Sequence, residues 1–421
     1  MRKLNLPKFA QRILALSLAI GFGVAASSVI WKYQQSAGEN LAVSSARPIP
    51  TLQISGAAPA NTEIHNTTFI YRDNPQRAPL APGPRLSFPL REAWRSEELN
   101  VGAHTASKSS AAVDASGIYV GSDAGEFRAY DLDGKLRWKF AILQNKQGFH
   151  GTALLDEKYA YIGAYNGRFY KFDKASGKVL WATRLADAVG TAPVRLSDGD
   201  LIVSAEKSYR DGYLLRLNSQ TGAVLWRTVG FLEQVHSSPT ISPDERMAYV
   251  GDNRGIFHGV SLETGALRWG TDLGGAIKGT AALQNGVLYV NSWGKGITQA
   301  SPIPLGDVVF TSGQRPSVLR GVDQKTGAEI WSRLVSDGRE GMASALLVSD
   351  GKKRDLALIQ CKPETLCAIE IRTGKVRYEH PVPGRITSLP TFAEGRIYLT
   401  FDRGPMLVLE SAPESAKRAK P

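Results

Sequence analysis

The stretch "NSQTGAVLW" (218–226) places a glycine four residues before a tryptophan. The same spacing recurs in "DKASGKVLW" (173–181), "SLETGALRW" (261–269) and "DQKTGAEIW" (323–331). "DLDGKLRW" (131–138) is a copy with one residue fewer before the glycine, and "EIRTGKVRY" (370–378) carries Tyr378 in place of the tryptophan. The glycine suits the positive-φ position of a tight turn. Upstream lies a short strand, as in "GIYVGSDAG" (117–125), "YAYIGAYNG" (159–167), "MAYVGDNRG" (247–255), "GVLYVNSWG" (286–294) and "GRIYLTFDRG" (395–404). Before that comes a Thr/Ser-rich strand, as in "HGTALL" (150–155), "GTAPVRL" (190–196), "HSSPTIS" (236–242), "KGTAAL" (278–283) and "TSLPTF" (387–392). Each unit thus reads as four short antiparallel strands punctuated by Gly, Asp and Asn.

The aromatic positions are Trp94, Trp138, Trp181, Trp226, Trp269, Trp331 and Tyr378, at intervals of 44, 43, 45, 43, 62 and 47. Four strands at such a period mark a β-propeller. Trp94 has no upstream strands of its own, and the unit begun at 387 lacks a TG–Trp strand. "FPLREAWRSE" (88–97) can supply that missing outer strand, which joins the chain ends and removes two open sheet edges. The expectation is an all-β, seven-bladed propeller of four-stranded blades over 86–412, with the seven aromatics as structural packing between blades. The 62-residue interval reads as an insertion in the fifth blade, "ITQASPIPLGDVVF" (297–310).

The 421 residues are 43% apolar and carry a formal charge of +12, spread along the chain without basic runs. Nucleic acid is not an expected partner. Residues 1–35 hold four cationic side chains in "MRKLNLPKFAQR", then nineteen uncharged residues, "ILALSLAIGFGVAASSVIW" (13–31). That run is long enough to span a bilayer as one helix, with the basic side cytoplasmic. Two readings stay open: a single-pass inner-membrane anchor, or a signal peptide cleaved after "VAA" (24–26), leaving a soluble periplasmic chain. No cysteine follows the run as a lipoprotein would require. Residues 36–85, rich in Pro, Ala, Ser and Asn, read as an extended linker, and 413–421 as a basic tail. Cys361 and Cys367, the two cysteines of an exported chain, are expected to form a structural disulfide across a hairpin.

"DxxTGxxxW" with "YVGxxDG"-like strands resembles the repeats of pyrroloquinoline-quinone (PQQ)-type β-propellers. That family holds periplasmic quinoprotein dehydrogenases, which bind PQQ and calcium on the propeller axis. It also holds non-enzymatic propellers, such as the scaffold subunit of the outer-membrane β-barrel assembly machinery. The resemblance implies a propeller fold under either activity. Three departures argue against the dehydrogenase. Seven blades are counted where eight are usual, five residues separate Cys361 from Cys367 where many such enzymes carry adjacent cysteines, and the chain is shorter. The expected function is a non-catalytic periplasmic interaction scaffold in a cell-envelope complex, without cofactor or metal. The alternatives are a PQQ/calcium dehydrogenase and a sensor for a small anion or glycan.

Two candidate sites follow from the blade alignment. Residues just before the Thr/Ser strand form a ring at one channel mouth, and Lys108, His150, His236, Lys278 and Arg385 make it a candidate anion or cofactor site. The turns between second and third strands lie on the same face. Their Tyr165, Tyr209, Arg210, Arg254, Trp293 and Arg403, with Ile303, Leu305 and Phe310 of the inserted loop, form the candidate surface for an envelope-protein partner.

Overall fold

The computed structural model describes residues 71–72, 74–79, 83–103, 108–142, 148–207, 211–292, 300–313, 317–323, 329–336, 343–352 and 354–413. The expected membrane segment (1–35), the first part of the linker and the basic tail beyond 413 lie outside them. Among the described residues no helix is long and apolar enough to cross a membrane. The chain divides into two compact units. One is Met1–Ala58 with Arg268–Gly270, of which only the last three residues are described, within a strand. The other, Pro59–Leu267 with Thr271–Pro421, holds the rest of the described sheets.

Each repeat folds as an antiparallel sheet in sequence order. The first is Ala112–Asp114, Gly117–Gly121, Glu126–Tyr130 and Leu136–Ala141. The second is Leu154–Leu155, Tyr159–Gly163, Arg168–Asp173 and Val179–Arg184. The third is Val194–Arg195, Leu201–Lys207, Asp211–Leu217 and Val224–Arg227. The fourth is Thr240–Ile241, Met247–Gly251, Ile256–Ser261 and Leu267–Asp272. The fifth has two described strands, Ala282–Gln284 and Val287–Tyr289. The sixth is Ile303–Leu305, Val308–Gly313, Ser317–Asp323 and Glu329–Ser336. The seventh is Leu346–Ser349, Asp355–Lys362, Thr365–Glu370 and Val376–Pro381. The last sheet is Thr391–Ala393, Arg396–Leu399 and Arg403–Ser411, with Leu90–Val101 as its outer strand. The N-terminal strand thus completes the C-terminal sheet.

The second and third strands of the first four sheets are largely buried on both faces, which explains apolar runs such as "YAYIG" where a half-exposed strand would alternate. Cores form between consecutive sheets. Tyr119 and Phe127 of the first sheet pack with Ile162 and Phe172 of the second. Tyr161 and Phe169 of the second pack with Val203 and Leu215 of the third. Tyr398 and Val408 of the last pack with Ile118 and Val120 of the first.

The repeated turn and tryptophan work as one latch between neighbours. Trp138 Nε1 donates to Lys174 O at 2.9 Å, Trp181 to Ser219 O at 3.1 Å, Trp226 to Leu262 O at 3.0 Å and Trp331 to Ile371 O at 2.8 Å. Each acceptor lies in the turn of the following four-stranded repeat. The turn glycine there has positive φ, and its missing Cβ makes room for the indole: a Cβ on Gly177 would sit 2.6 Å from Trp138, and one on Gly265 2.7 Å from Trp226. Trp94 meets Gly134 in the same way, which latches the last sheet to the first. Tyr378 instead stacks on Phe88, with centroids 3.9 Å apart.

Two linked expectations, the inserted loop of the fifth blade and the count of seven blades, need correction. The 62-residue interval is not one blade with an inserted loop. It holds the two-stranded fifth sheet and the start of a separate sixth sheet, whose first strands are Ile303–Leu305 and Val308–Gly313, so the described residues form eight sheets where seven blades were expected. A belt of hydroxyls gives both sheets a place in the series. Ser238 N donates to Thr280 Oγ1, Thr280 N to Ser301 Oγ, and Ser301 N to Ser344 Oγ, stepping from fourth to fifth to sixth to seventh. The last part of the segment read as a linker falls within the described residues. Its described residues beyond 70 are not free, and make hydrogen bonds to the inner strands. Proline-rich composition excludes a core of its own, but not docking on an existing one.

Cys361 and Cys367 lie on adjacent strands of the seventh sheet and are joined by a disulfide, with Cα atoms 5.7 Å apart. Both are buried in the core shared with the sixth sheet.

Candidate functional site

Lys108, Arg385 and His236, three of the residues read as a cationic ring, are already engaged with the protein's own carboxylates. Lys108 Nζ lies 3.0 Å from Asp123 Oδ2 and 3.5 Å from Asp402 Oδ1, with Lys108 and Asp123 almost fully buried. Arg385 Nη2 is 2.8 Å from Asp402 Oδ2. Asp123 also accepts from the amides of Val101 and Ala103, so it clasps the closing strand to the first sheet. Further round, His236 Nδ1 is 3.1 Å from Glu206 Oε1, and its Nε2 lies 3.2 Å from Gln234 Oε1. His150 stacks on Tyr165 at 4.4 Å between centroids. Burial holds Lys278 below the usual lysine range, and Glu206 opposes that shift. Burial, then Glu206, push Tyr165 well above the ordinary tyrosine range. Sequence alignment of the residues before each inner strand missed these carboxylates. They come from the ends of the second strands and the turns after them, a different position in the repeat.

This arrangement does not fit an anionic quinone on the axis, because Lys108 and Arg385 are committed to Asp123 and Asp402. Among the described residues, no group of three or more His, Cys, Asp or Glu is placed to hold a metal ion. Cys361 and Cys367 are core residues rather than a surface on which a planar ligand could stack.

The candidate partner surface divides. Arg254 and Arg403 are exposed on turns after the second strand, whereas Tyr165 is buried under His150. Tyr209, Arg210 and Trp293 lie outside the described residues. Ile303, Leu305 and Phe310 are not available to a partner: they occupy paired strands and are buried at 0%, 5% and 1% exposure. What reads as an apolar loop is the inner half of the sixth sheet.

An apolar stretch that the sequence reading passed over stands out instead. From the outer strand of the third sheet into the next loop, Val224, Leu225, Val229 and Leu232 are 37%, 51%, 74% and 44% exposed. Phe231 between the last two is buried and meets His258 edge-on at 4.7 Å. It pins the loop and leaves its two apolar neighbours outward. Exposed Leu273 and Arg254 belong to the same neighbourhood, where Leu273 N donates to Gly255 O and Asn253 N to Gln234 O. The signal was present as "VGFLEQV" (229–235), apolar where the corresponding loops "LADAVG" (185–190) and "LGGAIK" (273–278) are smaller or more polar.

Latched four-stranded sheets around a hydroxyl-lined set of inner strands, with the last sheet closed by the N-terminal strand, define a β-propeller of PQQ-type repeats. The family model described as outer membrane protein assembly factor BamB matches residues 128–314 and 315–412, more than half of the chain, and the chain belongs to that family. BamB of Moranella endobia is 25% identical over 157 residues, which are 35% of this chain and 38% of that protein. The chain thus matches well under half the length of that curated relative. Among solved structures, BamB from Moraxella catarrhalis superposes with a TM-score of 0.59 at 18% identity, covering 77% of this chain and 98% of that one. A europium-containing methanol dehydrogenase superposes with a TM-score of 0.63 at 11% identity, covering 82% and 98%. At such identities the structural likeness speaks to fold alone.

Proposed function

We propose that this propeller is a protein-interaction scaffold in a cell-envelope assembly, with the propeller in the periplasm and the chain held at the inner membrane by residues 1–35. The observation that carries the reading is the apolar stretch Val224–Leu232. A soluble surface tolerates single exposed apolar residues, but a cluster pinned by a buried phenylalanine and flanked by an arginine has the composition of a docking surface. Its partner is an envelope protein offering an apolar, partly acidic face. Membership of a family described by an outer-membrane assembly factor supports the same reading.

The second reading, a quinoprotein dehydrogenase, rests on the shared fold. The ion pairs of Lys108 and Arg385 weigh against it. One experiment separates the two. A photo-reactive residue at Leu232 in the full chain, irradiated in intact cells, is expected to give one discrete adduct with an envelope protein. Val229→Glu with Leu232→Glu, expected to change stability by under about 0.5 kcal/mol at exposed sites, should abolish it. An absent adduct, together with stoichiometric PQQ binding and substrate-dependent dye reduction, would sink the scaffold reading.

A further inference from the structure

The innermost strand of each propeller sheet has a neighbour on one side only, so its other edge presents unpaired amides and carbonyls toward the axis. Between residues 71 and 86 the chain supplies partners for several of these edges. Ile241 N donates to Pro75 O and Leu283 N to Gln76 O, both at 2.9 Å. Gln76 Nε2 returns a bond to Ile241 O at 3.3 Å. Ser349 N donates to Pro84 O at 2.9 Å and Leu86 N to Ser349 O at 2.7 Å. Arg72 Nη2 donates to Pro302 O at 2.7 Å. These partners belong to the first strands of the fourth, fifth, sixth and seventh sheets or the residues next to them. Gly83 passes so close that a Cβ there would sit 2.7 Å from Leu347 O.

Arg77 is the centre of this contact. Its side chain is completely buried. Nε donates to Pro239 O at 3.1 Å, Nη2 to Ala192 O at 3.2 Å and Pro193 O at 3.0 Å, and Nη1 to Tyr71 O. Four backbone carbonyls, from the third and fourth sheets and the segment itself, hold one guanidinium. No carboxylate pairs with it among the described residues. Burial, with Arg72 adding repulsion, pulls Arg77 down to about 9, so the group remains charged at neutral pH.

Two physical terms oppose each other here. The segment "NPQRAPLAPGPR" (74–85) is proline-rich, so it is stiff and extended before it binds and loses little entropy on docking. Its carbonyls suit strand edges that need acceptors. Against that stands the desolvation of a cation with no opposite charge, a large cost that neutral carbonyls offset only in part. A contact built this way should be specific in register yet reversible.

We propose that the described residues of this segment, 71–72, 74–79 and 83–86, are a peptide ligand of the propeller's own inner strands. They form a strap that docks and undocks as a unit while the sheets stay folded, with Arg77 as its catch. Docked, the strap occupies backbone groups at the edges of the inner strands. Undocked, it frees edges of five consecutive sheets, the third to the seventh. The proposal stands apart from the choice between scaffold and enzyme.

Residue-resolved hydrogen exchange on the full chain tests it. The amides of Ile241 and Leu283 report the strap, and those of Val203 and Val250, in second strands paired on both sides, report the sheets. In the wild-type chain the strap-bonded amides are expected to exchange at least about tenfold faster than the two references, because undocking is a sub-global opening. Arg77→Ala should accelerate Ile241 and Leu283 about 100-fold further, the loss of more than one charge-assisted bond, and leave Val203 and Val250 unchanged. Arg77→Lys, which keeps the charge but not the fork, should fall between. A synthetic peptide of residues 70–87 should restore protection to the Arg77→Ala chain, and the same peptide carrying alanine should not. Exchange of all four amides at one rate in the wild type would overturn the proposal. So would an Arg77→Ala chain that leaves Ile241 and Leu283 unaffected, or one that loses protection everywhere.

Discussion

The inner strands carry buried cations at both ends, and the two ends compensate them differently. Where the inner strands begin, Lys108 and Arg385 meet Asp123 and Asp402, all supplied by the propeller repeats; Lys108–Asp123 and Arg385–Asp402 each join residues of one repeat, and Lys108–Asp402 spans the ring closure. Further along the inner strands, Arg77 comes from outside the repeats and meets the Tyr71 carbonyl and ring of its own segment and three backbone carbonyls more than a hundred residues away, with no carboxylate among the described residues. A carboxylate cancels charge, so removing one member strands the other. A carbonyl solvates without cancelling, so removing the cation strands nothing ionic. The first end should therefore be a fixed part of the cooperative fold and the second a local, reversible closure.

Lys108→Ala offers the largest expected effect. It leaves the buried Asp123 with only amide partners, and breaking a buried pair from one side costs about 3 kcal/mol. Urea unfolding of the full chain should show that loss as a lower midpoint with unchanged slope. Adding Asp123→Asn should recover part of it. Arg77→Ala in the same assay should move the midpoint far less, because the strap is undocked before the sheets unfold. Equal losses for the two variants would remove the distinction between the ends.

The latches come next, and sharpen the contrast between repeat-encoded and imported contacts. Trp226→Ala deletes the ring that fills the space over Gly265 and the bond to Leu262 O. Half-buried as it is, the site should lose about 2 kcal/mol, below the range for a fully buried tryptophan. Trp226→Phe keeps an aromatic over the glycine and should lose about 1 kcal/mol, near the worth of one hydrogen bond. Thermal unfolding of the two variants checks the order. A phenylalanine variant as weak as the alanine one would mean the bond, rather than the packing, holds neighbouring sheets together.

That same contrast governs how much could be read from the sequence. The latch was legible because glycine and tryptophan recur at fixed spacing and each does one job. Ring closure was legible because Trp94 is an outer-strand residue without a sheet of its own, and the unit at 387 is a sheet without an outer strand. The fifth sheet was misread because it carries no TG–Trp hairpin, so the tryptophan count passes over it. Ser301, the sixth sheet's hydroxyl, stands in "ASP" rather than "GTA" and went unseen. The strap left no side-chain pattern at all, since its partners are carbonyls and amides that every residue possesses. The carboxylates of the cationic ring were missed because they occupy another register of the repeat.

The smallest effect concerns Glu206, and it tests whether the repeat-encoded end is compensated charge by charge. Burial lowers Lys278, and Glu206 works in the other direction. A lysine whose folded value lies below its unfolded one binds fewer protons folded than unfolded over that interval, so its cost fades as pH rises through it. Glu206→Gln removes the opposing charge, lowers Lys278 further and enlarges the cost at neutral pH. The variant should be less stable than wild type at pH 7 by roughly 0.5 kcal/mol, a figure reduced because Lys278 is partly solvated. The gap should narrow as pH rises toward the unfolded lysine's range, where the folded lysine gives up its proton first. The comparison is made at pH 7 and at a pH kept below about 10, where exposed tyrosines would enter. Urea midpoints of the two proteins at the two pH values give the double difference. A gap that widens with pH would mean that Glu206 acts through packing or through His236, and that Lys278 is balanced by solvent instead.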